Sequence, residues 1–121
     1  MKIKVSHYEY SIPIRIISSA VAQGHAVEIT LIDGKRLLSS MKFKEIEELF
    51  SKYENFILCN RGIIVNMFEI SSLYNGAFIM KNGDRFPIRV KGQSKIHAAF
   101  SEFLIKNMRA EKFFTPPPQK K

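Results

Sequence analysis

Short runs in which polar and apolar residues alternate recur along the chain and predict β-strands. Lys2–Val5 alternates charged and apolar side chains, and apolar residues occupy every second position in the latter half of His25–Ile32. Ile12–Ile17 is rich in β-branched residues, which also favours a strand. Its Pro13 is expected at a sheet edge or a strand start, because proline has no N–H to donate to a neighbouring strand.

Turns that pair Asp or Asn with Gly separate further predicted strands. Both residue types tolerate positive φ, which a two-residue hairpin turn requires. The turns are Asp33-Gly34, Asn75-Gly76 and Asn82-Gly83. The strands that they join are His25–Ile32 with Lys35–Leu38, Glu69–Tyr74 with Ala77–Lys81, and Ala77–Lys81 with Asp84–Ile88. Such turns between short strands predict antiparallel meanders and argue against parallel βαβ units.

Two segments have the three-and-four spacing of amphipathic helices instead. One is Phe43–Tyr53, with Ser39 or Ser40 as the expected N-cap. The other is Ile96–Met108. We therefore predict a mostly β domain with two helices, and we expect both apolar stripes to face its core.

The length of 121 residues and the hydrophobic content of 45% indicate one folded domain with its own core. We place this domain at residues 1–108. Residues 109–121 contain three consecutive prolines and are expected to form a flexible C-terminal tail. No apolar run approaches the ~18 residues of a membrane span, and the N-terminus has no signal-peptide pattern. We expect a cytoplasmic protein with no membrane partner.

Positive charge is concentrated in the second half of the chain. Residues 1–60 contain 8 basic and 7 acidic residues, whereas residues 61–121 contain 11 basic and 4 acidic residues. The formal net charge of the whole chain is +8. This asymmetry favours a polyanionic partner such as nucleic acid, although a basic surface can also serve solubility alone.

Residues suited to catalysis or metal binding are dispersed. His7, His25 and His97 lie on separate segments without metal-ligand spacing. The single cysteine, Cys59, lies in an apolar stretch with no neighbouring base or cation before Arg61. We predict no catalytic residue, no metal and no cofactor, and expect that the protein is not an enzyme. A small hydrolase or redox domain that uses Cys59 is one alternative to this interpretation.

Basic and hydrogen-bonding residues occur instead where loops are expected. Three segments have this character, namely Gln23–His25, Asn60-Arg61 and Arg89–Lys95. Loops held by a β scaffold can reach both phosphates and base edges. Neither predicted helix has a basic face, which argues against a helix-turn-helix.

These segments follow one another in the order found in LytTR DNA-binding domains. Phe56–Asn66 reads FILCNRGIIVN and resembles the family segment Phe-x-Arg-x-His-Arg-Ser-x-x-Val-Asn. Lys42–Lys52 resembles the family's Leu-Lys-Glu-Leu-Glu helix, and Ala77–Lys91 resembles its hairpin with an Asn-Gly turn followed by Pro-Val-Ser-Arg. Ile12–Gly34 is similar to the family's Ile-x-Leu-x-x-Ile opening and Asp-Gly turn. The similarity covers most of the chain, residues 2–105.

The resemblance implies a LytTR-like fold of about ten short antiparallel strands in small packed sheets, with one short helix after the first hairpins and a C-terminal helix. It also implies sequence-specific binding of double-stranded DNA by a bacterial transcription regulator, with loops inserted into successive major grooves of promoter direct repeats. The family's base contacts correspond to positions near His25, at Arg61 and at Lys91. The complete set of DNA-binding residues that we predict is His25, Asn60, Arg61, Arg89, Lys91 and Lys95.

LytTR domains are the output modules of bacterial response regulators in two-component systems. A receiver domain is absent from this sequence, which leaves two alternatives open: the chain is part of a longer regulator, or it is a stand-alone protein. The resemblance also allows a second copy on the adjacent DNA repeat as a partner.

Four positions depart from the family pattern. Asn60 replaces the common His, Leu58 an Arg, Gly62 a Ser, and Lys91 the usual Arg. The Asn60 amide can still bridge adenine or bond a phosphate, whereas Leu58 removes one cation. Lys91 keeps the charge but lacks the planar fork that reads guanine with two bonds, so we expect weaker or less discriminating binding.

The alternative function is a basic β-rich protein-interaction module without DNA specificity.

Overall fold

A computed structural model of the chain describes the backbone of residues 1–111 and the side chains of residues 1–107. The helices are α1 (Phe43–Phe50) and α2 (Gln93–Glu111), and short 3-10 helices span Ile14–Ile16 and Met67–Glu69. The strands are β1 (Lys2–Val5), β2 (Tyr8–Ser11), β3 (Ile17–Gln23), β4 (Ala26–Leu31), β5 (Arg36–Ser39), β6 (Phe56–Asn60), β7 (Ile63–Asn66), β8 (Ile70–Tyr74), β9 (Ala77–Met80) and β10 (Arg85–Pro87).

The strands of the described chain form three antiparallel sheets. The largest has five strands in the order β5-β4-β3-β7-β6, the second has three in the order β10-β9-β8, and β1 pairs with β2. The prediction of a mostly β fold with about ten short antiparallel strands and two helices is confirmed.

The chain divides into two compact units, residues 1–90 and residues 91–121, and each is described by itself. The first unit contains all ten strands and α1. Of the second unit, the described part contains α2, in which Ile96, Phe100 and Phe103 are buried along one face, as the helical stripe predicts. Leu104, which belongs to the same stripe, is exposed. The predicted tail begins at residue 109, but α2 continues to Glu111, and residues 112–121 lie outside the described residues. Within the described part, neither helix is long and apolar enough to cross a membrane.

One face of the five-stranded sheet is covered by β1 and α1. Ile29 of β4 and Ile64 of β7 belong to one buried cluster with Ile3 of β1 and with Ile46 and Phe50 of α1. Burial of these apolar side chains is the main term that holds α1 on the sheet, because an isolated helix of this length is unstable in water.

Asn66, at the end of β7, is a buried hydrogen-bond centre. Its Nδ2 donates to the carbonyl oxygen of Ile17 at 2.9 Å, and its Oδ1 accepts from the Asn55 Nδ2 at 3.0 Å. The same oxygen accepts from the backbone N–H of Phe68 at 3.0 Å. Asn66 therefore joins the end of β7, the start of β3 and the chain before β6. The last residue of the motif segment Phe56–Asn66 thus has a structural role.

Neither Ser39 nor Ser40 caps α1, so that expectation was wrong. Lys42 is the N-cap residue, and the Glu45 carboxylate accepts a hydrogen bond from its backbone N–H at 3.0 Å. Ser39 is buried, and its hydroxyl donates to the Lys4 carbonyl at 2.7 Å. Ser39 is therefore used to fix β1 to the end of β5.

Ile12–Ile17 does not form the predicted strand. Pro13, with φ −60°, precedes the 3-10 helix Ile14–Ile16, and its carbonyl accepts from the N–H of Ile16 at 3.1 Å. Strand β3 begins only at Ile17. The restricted φ of proline favours a turn here, which outweighs the β preference of the isoleucines.

All three hairpins predicted at Asp-Gly or Asn-Gly form, but they use two kinds of turn. At Asn75-Gly76 both residues have positive φ, 49° and 70°, as predicted. At Asp33-Gly34 and Asn82-Gly83 only the glycines have positive φ, 95° and 96°. There the Asp33 carboxylate accepts from the N–H of Lys35 at 3.0 Å, and Asn82 accepts from the N–H of Asp84 at 2.9 Å. These two turns are longer than predicted and are stabilised by their Asx side chains.

Candidate nucleic-acid interface

Two hairpin turns lie side by side at one end of the five-stranded sheet. The β3–β4 turn contains His25 and the β6–β7 turn contains Arg61. Strand β3 pairs directly with β7, and the N–H of Ala22 donates to the carbonyl of Gly62 at 2.8 Å. We refer to the turns at residues 23–25 and 60–62, together with residues 40–42, as the loop end.

Residues 40–42 lie at the same end of the sheet as the two turns, because Val27 near the start of β4 pairs with Ser39, the last residue of β5. Lys42 lines a surface hollow of ≈250 Å³ together with His25. The hollow is completed by Gly24, Ser40 and Phe43. Lys42 was not among the predicted DNA-binding residues. The sequence signal for Lys42 is indirect. Lys42 follows β5, and β5 pairs with β4, which begins directly after His25.

Gly62 has a steric role where the two turns meet. Its φ is +72°, and a Cβ at this position would lie 3.1 Å from the Cβ of Ala22. Glycine accommodates both the left-handed backbone and the close approach. In this chain the glycine therefore lets the β6–β7 turn lie against β3.

A bulge in β6 connects the loop end to the segment after β10. The register shifts between Leu58 and Asn60, so that Cys59 has no partner on β7. Because a bulged residue is released from the strand pairing, the Cys59 carbonyl is available to accept from the N–H of Arg89 at 2.9 Å. Arg89 thereby lies beside the β6–β7 turn.

The side chain of Asn60 uses both of its polar groups within the protein. Its Nδ2 donates to the carbonyl of Pro87 at 3.0 Å. Its Oδ1 accepts from the backbone N–H of Arg61 at 2.8 Å. Asn60 therefore links the β6–β7 turn to the end of β10.

Four of the six predicted DNA-binding residues lie together at or beside the loop end: His25, Asn60, Arg61 and Arg89. His25 and both arginines are exposed, whereas Asn60 is half-buried. Lys91 and Lys95 belong to the second unit. Both are exposed, Lys91 just before α2 and Lys95 in its first turn. Their placement on DNA stays a prediction.

The arginines of the first unit differ in whether a carboxylate neutralises them. Arg36 lies 2.9 Å from Asp84 and 3.6 Å from Glu28, and its hydrogen bond to Asp84 raises its pKa. Arg61 and Arg89 form no ion pair with any side chain that the structure describes. Their charges are therefore available to an external anion, whereas Arg36 connects two parts of the fold.

The thiol of Cys59 is unsuited to nucleophilic chemistry. The side chain is fully buried, and burial raises its pKa to about 12. At neutral pH it is therefore a protonated thiol, which neither attacks an electrophile nor binds a metal readily. Across the described residues, no three His, Cys, Asp or Glu side chains are grouped as a metal site requires.

Comparison with known proteins agrees with this architecture. The chain is similar to a solved structure of the LytTr DNA-binding domain of a methyl-accepting/DNA response regulator from Bacillus cereus. The TM-score is 0.66 and the identity 22%, over 82% of this chain and 94% of that chain, which supports the fold. None of the curated proteins matches the sequence. The family model of the LytTr DNA-binding domain matches residues 9–101, which is most of the chain. The resemblance read from the sequence is confirmed, and the chain belongs to the LytTR DNA-binding domain family.

Proposed function

We propose that this chain binds double-stranded DNA sequence-specifically through its loop end and acts as a bacterial transcription regulator. Family membership supports DNA binding in general. The observation that carries the proposal for this chain is the grouping of two exposed arginines, Arg61 and Arg89, on neighbouring segments, neither of which forms an ion pair within the described residues. His25 lies on the adjacent turn and adds a group that can read base edges.

The spacing of the two turns suits the DNA major groove. Neighbouring strands are ~4.8 Å apart, so the centres of the β3–β4 and β6–β7 turns are separated by two strand spacings, about 10 Å. A major groove is about 12 Å wide. Both turns can therefore enter one major groove. Lys91, from the second unit, is the third base-reading residue that we propose, and we assign the contact with the successive groove to it.

In this mechanism, phosphate contacts supply the part of the binding free energy that does not come from base contacts. Arg89 and Lys95 are proposed to neutralise phosphates, and Lys42, beside His25 in the same hollow, is added to them. Displacement of condensed counterions drives such contacts and makes them salt-dependent. The turns are held by paired strands, so little conformational entropy is lost when they dock.

The proposed targets are promoter direct repeats, with a second copy of the chain on the adjacent repeat. The related Bacillus cereus domain comes from a response regulator, and we propose the same setting for this chain, in the cytoplasm. A receiver domain is then the partner that supplies the signal.

The first test is a random-site selection with the purified chain, followed by affinity measurements on the selected duplex and a scrambled duplex. Arg61→Ala should weaken binding to the selected duplex by ~1–3 kcal/mol if Arg61 reads a base with two bonds. Lys35→Ala is the matched control, because it removes the same charge from the turn at the opposite end of the sheet. It should change the affinity by less than about twofold.

The salt dependence of binding tests the electrostatic part. About five phosphate contacts give a log–log slope of roughly −4 to −5 on duplex DNA. A slope near zero, or equal affinity for selected and scrambled duplexes, contradicts the proposal and favours the protein-interaction module. Equal losses for Arg61→Ala and Lys35→Ala contradict the assignment of the loop end.

A further inference from the structure

Asn60 occupies the junction between the two arginine-bearing segments. Its Nδ2–H···O=C bond to Pro87 crosses from β6 to the end of β10, and its Oδ1 holds the N–H of Arg61. The Arg89 N–H···O=C bond to Cys59 lies directly beside this link. Two hydrogen bonds in succession therefore fix the segment 87–89 against the β6–β7 turn.

We infer that Asn60 is a positioning residue that sets the spacing of Arg61 and Arg89 and does not itself read DNA. The inference deepens the proposed function and rests on it. An amide that reads adenine needs its donor and its acceptor free to point at the base edge. In Asn60 the oxygen already accepts from its neighbour's backbone N–H, and one amide N–H already donates to a carbonyl 27 residues away. These two bonds fix the orientation of the amide, so turning it towards a base edge would break them.

The bulge at Cys59 explains why this residue can form the link. The extra residue in β6 shifts the register, so that Asn60 pairs with Ile63 next to the turn. The Asn60 amide then reaches the carbonyl of Pro87, the last residue of β10. Without that amide, the segment 87–89 keeps only the bond from Arg89 to Cys59 at this junction.

The test is a double-mutant cycle on the selected duplex, with amide exchange measured in the free protein. Asn60→Ala should weaken binding about 5- to 20-fold in the wild-type background. In the Arg61→Ala/Arg89→Ala background it should cost less than about twofold, because there are no arginines left to position. Exchange of the Arg61 amide should accelerate in Asn60→Ala, and thermal stability should stay close to that of the wild type.

Controls separate the link from general effects of substitution. Asn82→Ala removes a comparable exposed hydrogen bond, from the N–H of Asp84, and should leave DNA affinity unchanged. Asn60→Asp keeps the acceptor for Arg61 but loses the donor to Pro87, and is compared with Asn82→Asp, which carries the same added charge. If Asn60→Ala does not fold, amide exchange of Arg89 in the free Asn60→Asp protein decides the matter: it should accelerate when the bond to Pro87 is lost, and an unchanged rate overturns the inference.

The possible outcomes separate failure of the inference about Asn60 from failure of the proposed function. An equal loss for Asn60→Ala in both backgrounds means that Asn60 touches DNA and overturns the inference. No loss in the wild-type background, while Arg61→Ala still weakens binding, overturns it as well. If Arg61→Ala and Arg89→Ala bind as tightly as wild type, the proposed function fails, and the amide-exchange result then reports on the link alone.

Discussion

Replacing Asn66 by alanine tests whether one buried amide holds the end of the five-stranded sheet together. The substitution removes three hydrogen bonds, to Ile17, Asn55 and Phe68. The Ile17 carbonyl and the Asn55 amide are then left in the interior without a partner. The Phe68 N–H belongs to a half-exposed residue, so water can replace its bond at little cost.

The expected loss of stability follows from these two orphaned groups. Leaving a buried polar group unsatisfied costs about 1–3 kcal/mol, so two of them cost roughly 2–6 kcal/mol. Partial relaxation around the vacated volume reduces this figure, and we expect the free energy of unfolding to fall by about 2–5 kcal/mol. That is a large part of the ~5–15 kcal/mol typical of a domain.

Urea unfolding followed by far-ultraviolet circular dichroism measures this loss, because the chain contains no tryptophan to serve as a fluorescence probe. The midpoint should fall while the slope m stays constant. The control is Asn82→Ala, which removes bonds from an exposed turn and should cost less than about 1 kcal/mol. A loss for Asn66→Ala no larger than that of the control, at unchanged m, refutes the assignment of Asn66 as a structural centre.

The remaining predictions concern the β6–β7 turn and the Cys59 thiol of the adjoining strand β6. Gly62→Ala should cost more stability than Gly24→Ala by about 1–2 kcal/mol in the same urea assay, because both have positive φ but only Gly62 has a neighbour within reach of an added Cβ. Equal losses contradict the close packing of the β6–β7 turn against β3. Cys59 should react with a thiol reagent at pH 8 at least about 100-fold more slowly in the folded chain than in denaturant. Because folding raises the pKa of Cys59 from 9.0 to about 12, wild type should lose stability relative to Cys59→Ala as the pH rises from about 9 towards 12. A difference that stays constant with pH contradicts burial as the cause.

The strand pattern could be read from local sequence where polar and apolar residues alternate beside a turn. The hairpin around Asp33-Gly34 and the hairpin at Asn75-Gly76 are predicted because their signals lie within a few residues. Ile12–Ile17 misled this reasoning, since Pro13 begins a 3-10 helix that β-branched composition does not reveal. The roles of Ser39 and Asn66 depend on partners 35 and 49 residues away, which a local pattern cannot indicate.

The candidate site was predictable in its residue types but not in its geometry. Arg61 and Arg89 could be named from the motif and from their place in expected loops. Their proximity depends on the bulge at Cys59 and on the hydrogen bond from the Arg89 N–H to the Cys59 carbonyl. No pattern in the sequence indicates either feature. Lys42 was missed because its closeness to His25 follows from strand register.

The tight fit of Gly62 against Ala22 has an evolutionary consequence. In this chain a side chain at position 62 would press against Ala22, so this position of the β6–β7 turn is restricted, whereas the exposed side chains at the tips of the turns are not. On the proposed function, new operator preferences in this scaffold should therefore arise by exchanging exposed side chains at positions such as 25 and 61, with Gly62 kept. The same restriction gives protein engineers a small, defined set of positions to randomise when retargeting the domain.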